Sequence, residues 1–170
     1  MTVEEFQSLP GERQELRHGQ LVTLVPPKLK HSLIQRNLRR LLEAFAETGS
    51  LVDVEVAFRP LPEHEFWKAD VAYLCAERFR QADPEDNIRG APELVIEVLS
   101  PSNTAAEILD REQTCLANGC KEFWVVDPTS RRVKVTTNDG RSMTYEAGQQ
   151  VPLPLLGQGI GISVDDVFRY

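Results

Sequence analysis

The sequence predicts an α/β (α+β) fold: a mixed β-sheet flanked by helices, with an N-terminal hairpin. Three patterns predict it. Residues 93–99 (Glu-Leu-Val-Ile-Glu-Val-Leu) are apolar on nearly both faces, which places that strand at the centre of a sheet. Residues 93–127 read as strand, helix, strand, a run that favours a parallel pair joined by a right-handed crossover. Between about Lys30 and Glu47, Leu33, Ile34, Leu38, Leu41, Leu42 and Phe45 recur at helical spacing, giving a helix with one apolar stripe to bury.

The elements follow in order. Residues 14–17 and 20–25 flank His18-Gly19 and read as a hairpin, because Gly supplies the positive φ that a two-residue turn requires. Pro26-Pro27 ends it, and the helix from Lys30 is expected to stop near Gly49. In residues 51–58, Val52, Val54, Val56 and Phe58 occupy one face, and Asp53 and Glu55 the other, as in a half-buried strand. Residues 67–74 form the next strand, and 80–92 a polar loop punctuated by Pro and Gly. Ser100 to Asn103 break the central strand and lead into a helix from about Thr104 to Asn118, closed by Gly119. Strands follow at 121–127, 131–137 and 141–146, the last two joined across Asp139-Gly140. Ser163 opens a short last helix with Asp165 and Asp166 in its first turn.

Length and composition set the frame. The 170 residues suit one domain spanning 1–170, with 1–9 as an N-terminal extension. Apolar residues at 41% and charged residues at 26% exclude a disordered, collagenous or coiled-coil chain. A net charge of −7 counts against a whole surface that binds DNA or anionic membrane, but leaves room for a local basic patch. No apolar run approaches the roughly 20 residues of a membrane span, and the first ten residues lack the apolar core of a signal peptide. Cys75, Cys115 and Cys120 are odd in number and lack paired spacing, which suits a cytoplasmic protein with reduced thiols.

The chemistry rests on buried acids. Glu97 stands in an otherwise apolar strand, and Asp70 stands mid-strand in Ala-Asp-Val-Ala-Tyr. A lone carboxylate in such a place loses several kcal/mol of hydration unless it is paired, hydrogen-bonded or bound to metal. Two acids on neighbouring buried strands suit Mg²⁺ or Mn²⁺, which take oxygen ligands. Structural ion pairs with Arg or Lys are the plain alternative. Arg111 points either at Glu107, one helical turn back, or at a phosphate. Lys28, Lys30, Arg36, Arg39 and Arg40 form a run without acids, read either as a phosphate-facing surface or as a solvated helix face. There is no GxGxxG, P-loop, GxSxG or HExxH motif.

Several strings together resemble the Uma2 family of restriction-endonuclease-like proteins, within the PD-(D/E)xK nuclease superfamily. They are Glu15-Leu-Arg-His-Gly19, His31 opening a helix, Ala69-Asp70-Val71, Ala91 to Ser102, and Gly119 to Pro128. The resemblance covers about residue 10 to the C-terminus. It implies a restriction-endonuclease-like core and, as its acids, Glu15, Asp70 and Glu97. Asp70 and Glu97 would bind Mg²⁺ (or Mn²⁺), and Arg111 takes the place of a helix Lys. His31 would contact substrate or water. The superfamily's usual Lys position is Leu99 here, and Cys115 stands where Tyr is usual. Arg holds its proton and cannot act as a base.

The expected function is therefore metal-dependent endonuclease activity, with hydrolysis of a phosphodiester by a Mg²⁺-activated water. The expected partner is nucleic acid, DNA foremost, without a membrane. The alternative is a nuclease fold without turnover that binds nucleic acid or a protein partner, as a homodimer. A third reading is an interaction protein with no nucleic-acid role.

Overall fold

The computed structural model describes residues 1–11 and 13–170. A seven-stranded mixed sheet forms its centre, in the order β5 (Ile88–Arg89), β3 (Leu51–Arg59), β4 (Trp67–Leu74), β6 (Leu94–Val98), β7 (Glu122–Asp127), β8 (Arg132–Thr137), β9 (Ser142–Tyr145). β6 and β7 are parallel, and α4 (Ala105–Ala117) makes the crossover between them, as the apolar run at 93–127 predicts. β3 and β5 are also parallel, and the remaining neighbours are antiparallel.

One face of the sheet is covered by α2 (Leu29–Glu43), through Ile34, Leu38 and Leu42, and by the C-terminal segment through Val151, Ile162, Val167 and Phe168. That segment contributes a two-stranded sheet of β10 (Gln150–Pro152) and β11 (Gly161–Ser163), followed by α5 (Val164–Val167). The other face is covered by α4, where Cys115 packs with Val95, Phe123 and Val125. Thr104 caps α4 in a reciprocal box with Glu107, so the first turn that carries the crossover is closed at both donors.

The hairpin of β1 (Gln14–Arg17) and β2 (Gln20–Thr23) turns on His18 and Gly19, at φ 50° and 70°, the pair of positive φ values that a two-residue turn needs. Leu16 joins it to the strip before β4 by a two-way backbone pair with Phe66, at 2.9 and 3.0 Å. The short α1 (Val3–Gln7) buries Val3 and Phe6 against Leu16.

Three expectations are corrected. α2 ends at Glu43, before the expected stop at Gly49. Phe45 stays 44% exposed, so the last turn has no apolar face to bury, and Gly49 (φ 84°) serves the separate turn into β3. The loop at 80–92 begins as the end of α3 (Ala76–Gln81) and contains β5. The C-terminal strands β10 and β11 are too short for alternation to show. Finally, β3 does not keep one apolar face. Val52 and Val54 pack on the α2 side, whereas Val56 and Phe58 pack on the α4 side. β4 changes sides with it, Tyr73 and Val71 facing α2, and Ala69 and Trp67 facing α4. The exchange falls at Glu55, whose φ of 54° lies in the left-handed region.

Candidate active site

The site is built on that exchange. β3 and β4 pair as Val54 with Val71 and as Val56 with Ala69, and the step between them, Glu55 opposite Asp70, is missing from the ladder. β4 and β6 pair from Tyr73–Leu94 down to Val71–Ile96, and one further step would set Asp70 opposite Glu97. The register thus aligns Glu55, Asp70 and Glu97 in one row across three adjacent strands, at the point where both ladders open. A left-handed residue in a strand costs roughly 1–2 kcal/mol, and such strain gathers at functional sites.

Asp70 fills the gap. Its Oδ2 accepts the Val98 backbone N–H at 2.7 Å, a ladder bond made by a side chain. Its Oδ1 lies 2.9 Å from His31 Nε2 and accepts a hydrogen bond from the Gln35 amide at 3.0 Å. The same Gln35 nitrogen donates to Glu55 Oε1 at 2.6 Å, so one neutral amide, 4% exposed, bridges two carboxylates. His31 and Gln35 are one turn apart on α2, which sets both on one face of the helix. Ligating atoms of His31, Glu55 and Asp70 all lie within 4.8 Å of one another. Burial lowers the His31 pKa, but the hydrogen bond and charge of Asp70, with the charges of Glu55 and Glu97, prevail and raise it.

A second group lies on the α4 side. The Arg111 guanidinium, 4% exposed, donates to Glu97 Oε1 at 2.8 Å, to Glu15 Oε2 at 3.1 Å and to the Lys68 carbonyl at 2.8 Å. It also stacks on Trp67, 4.9 Å from the ring centroid. Arg17 reaches Glu15 at 2.7 Å, and the Lys68 N–H donates to it at 2.8 Å. Burial raises the Glu15 pKa, but Arg111, Arg17 and the Lys68 amide overcome it, and the carboxyl falls below its ordinary value. Glu97 has less help. Burial pushes it up to about 8, with Arg111 pulling down and the charge of Asp70 adding to the rise. The charge of Asp70 therefore reaches Glu97, although the groups that bind the two come from helices on opposite faces.

The expected residues thus fall into two sets. Asp70 and His31 meet directly, and Glu15, Glu97 and Arg111 meet directly. Ligating atoms of three residues, His31, Glu55 and Asp70, approach closely, while Glu97, the expected partner of Asp70, gives its Oε1 to Arg111. Arg111 pairs neither with Glu107, which caps α4 and binds Arg17, nor with solvent, since its guanidinium is enclosed. Cys115, one turn along α4, is fully buried, and Leu99 packs beside the same core. Glu55 and Gln35 escaped the sequence reading. Glu55 looks like an ordinary outward residue in an unbroken alternation, and Gln35 looks like a polar helix position.

The basic run is partly spent on structure. Arg39 pairs with Glu43 and Asp53, and Lys30 reaches the Pro128 carbonyl, whereas Lys28, Arg36 and Arg40 are exposed and make no ion pair among the described residues. No helix among the described residues is long and apolar enough to cross a membrane.

No curated protein matches the chain. A crystal structure of a putative nuclease belonging to DUF820, from Anabaena variabilis, aligns with a TM-score of 0.84 over 99% of this chain and 97% of that one, at 22% identity, a likeness of fold. The family described as "Putative restriction endonuclease", Uma2, matches residues 3–165, and the chain belongs to that family.

Proposed function

We propose that the protein is a divalent-cation-dependent phosphodiesterase acting on nucleic acid, with Asp70 as its central metal ligand. The observation that supports this reading is the row of Glu55, Asp70 and Glu97 at a point where two adjacent ladders open. Hard divalent ions take carboxylate oxygens, so the donor set fits Mg²⁺ or Mn²⁺. When bound, such an ion supplies a Lewis acid that offsets charge on phosphorus and lowers the pKa of water.

The chain's own residues prepare that place. Val98 N–H and Gln35 orient Asp70, and the left-handed turn at Glu55 brings its carboxylate to Gln35. Arg111 serves as a positioning residue: it fixes Glu97 through Oε1, and Glu97 Oε2 makes no hydrogen bond among the described residues. Glu15 anchors Arg111 from the hairpin. His31 closes the α2 side, and the exposed Arg36 and Arg40 on the same helix offer charge to a phosphate backbone.

Incubation of DNA and RNA with purified protein in Mg²⁺ or Mn²⁺ tests the reading. Cleavage is expected, and Asp70→Asn should reduce it by at least about 100-fold, the scale of a lost charge-stabilising group. Cleavage undiminished in that variant refutes the assignment.

The enclosure of Arg111 favours a second reading, a fold that binds nucleic acid without turnover. Arg111→Lys separates the two: cleavage gained in the Lys variant favours a weakened enzyme, and nucleic-acid binding without cleavage in both chains favours the module.

A further inference from the structure

We infer that His31 is a nitrogen ligand of the same cation, so that the site takes a first-row transition ion, with Mn²⁺ as its probe, in preference to Mg²⁺ or Ca²⁺. This rests on the reading of Asp70 as a metal ligand and goes beyond it in naming the donor type and the ion class.

The geometry carries the inference. Two ligands on adjacent corners of an octahedron with bonds of about 2.1 Å stand about 3 Å apart. His31 Nε2 and Asp70 Oδ1 are 2.9 Å apart, and Glu55 completes a set within 4.8 Å. The imidazole is held by α2, whose Ile34, Leu38 and Leu42 are fully buried in the sheet, so the ring arrives on a rigid element. His31 Nδ1 is buried without a hydrogen-bond partner, which is uncommon for a ring nitrogen. Packing, and not a bond at Nδ1, therefore aims Nε2 at the carboxylates. One neutral group, the Gln35 amide, hydrogen-bonds to both Glu55 and Asp70 among the described residues. An all-oxygen site suits Mg²⁺ and Ca²⁺, whereas an imidazole beside two carboxylates shifts preference toward ions that accept nitrogen.

The test is titration of the whole protein with Mn²⁺, Mg²⁺ and Ca²⁺ by calorimetry, together with pulsed electron-spin-echo spectroscopy of the Mn²⁺-loaded protein. Native protein, His31→Gln and Asp70→Asn are compared, with circular dichroism confirming that each is folded. Native protein should bind Mn²⁺ more tightly than Mg²⁺ by at least tenfold and show ¹⁴N modulation from a coordinated imidazole. His31→Gln should lose that modulation and about 10–100-fold in Mn²⁺ affinity, the scale of a lost metal-site partner, with much less change for Mg²⁺. Loss of Mn²⁺ binding in Asp70→Asn, with His31→Gln unchanged and no ¹⁴N modulation in native protein, overturns this inference and leaves the Asp70 reading standing. Undiminished Mn²⁺ binding by folded Asp70→Asn, or none by native protein, overturns both.

Discussion

At the scale of the residue, Arg111 decides the most. It is a buried cation between two buried carboxylates, and removing it leaves Glu97 without a cation, while Glu15 keeps Arg17. Arg111→Met should destabilise the protein by about 3–5 kcal/mol in urea denaturation, and adding Glu97→Gln should recover part of that loss. A loss under about 1 kcal/mol would mean that Arg17 and the Lys68 N–H hold Glu15 without Arg111 and that Glu97 takes up its proton. Glu97 also predicts a pH dependence. Its pKa is raised by burial from an ordinary value of 4.5 to about 8. The folded chain thus holds that proton more tightly than the unfolded one. The contribution to stability is complete below the ordinary value and is lost as pH rises towards 8. Denaturation at about pH 5 and about pH 8.5 should show native protein losing more stability than Glu97→Gln over that interval. Equal losses would place the titration elsewhere.

At the scale of the element, β3 and β4 exchange faces while keeping their register, and Glu55 bears the conformational cost. A glycine adopts φ 54° without the clash that a Cβ makes. Glu55→Gly should therefore be more stable than Glu55→Ala by about 1 kcal/mol, the reverse of the order at a regular strand position. Thermal or urea unfolding of the two variants checks this, and a more stable Ala variant would show that the strand relaxes to regular geometry. The alternation of Val52, Val54, Val56 and Phe58 announces a strand correctly. It cannot announce the exchange, because both cores are apolar and accept the same residue types. Asp70 and Glu97 were legible as buried acids because each interrupts an apolar run. Glu55 was not, because an acid on the polar side of a half-buried strand is ordinary.

At the scale of the whole molecule, a chain of net charge −7 must meet a polyanion through a local surface. Lys28, Arg36 and Arg40 are exposed near the helix that carries His31, with no carboxylate engaged to them among the described residues. Binding to DNA or RNA should weaken steeply with salt. Arg36→Ala with Arg40→Ala should reduce the log–log slope by about 2, close to one for each phosphate that the variant no longer neutralises. An unchanged slope would move the nucleic-acid surface away from α2. The hairpin is tied into the same assembly, since Arg17 binds Glu107, and His18 lies between Glu65 and Asp110 at 3.1 and 3.0 Å. It thereby presents Glu15 to Arg111 across the sheet.

By itself the sequence determined the order of the main elements, the central parallel pair with its crossover helix, the hairpin turn, and the family. These follow from local signals: hydrophobic period, glycine at positive φ, capping residues, and strings of residues close together in the chain. Only the tertiary structure decided which acids share a cation. Glu15 and Glu97 meet Arg111, and Asp70 meets His31, Gln35 and Glu55, because strands and helices far apart in the chain bring them together. Burial energy fixes where each carboxylate stands along its strand. The direction in which it turns is set by the nearest guanidinium, amide or imidazole, and that neighbour exists only once the sheet has closed.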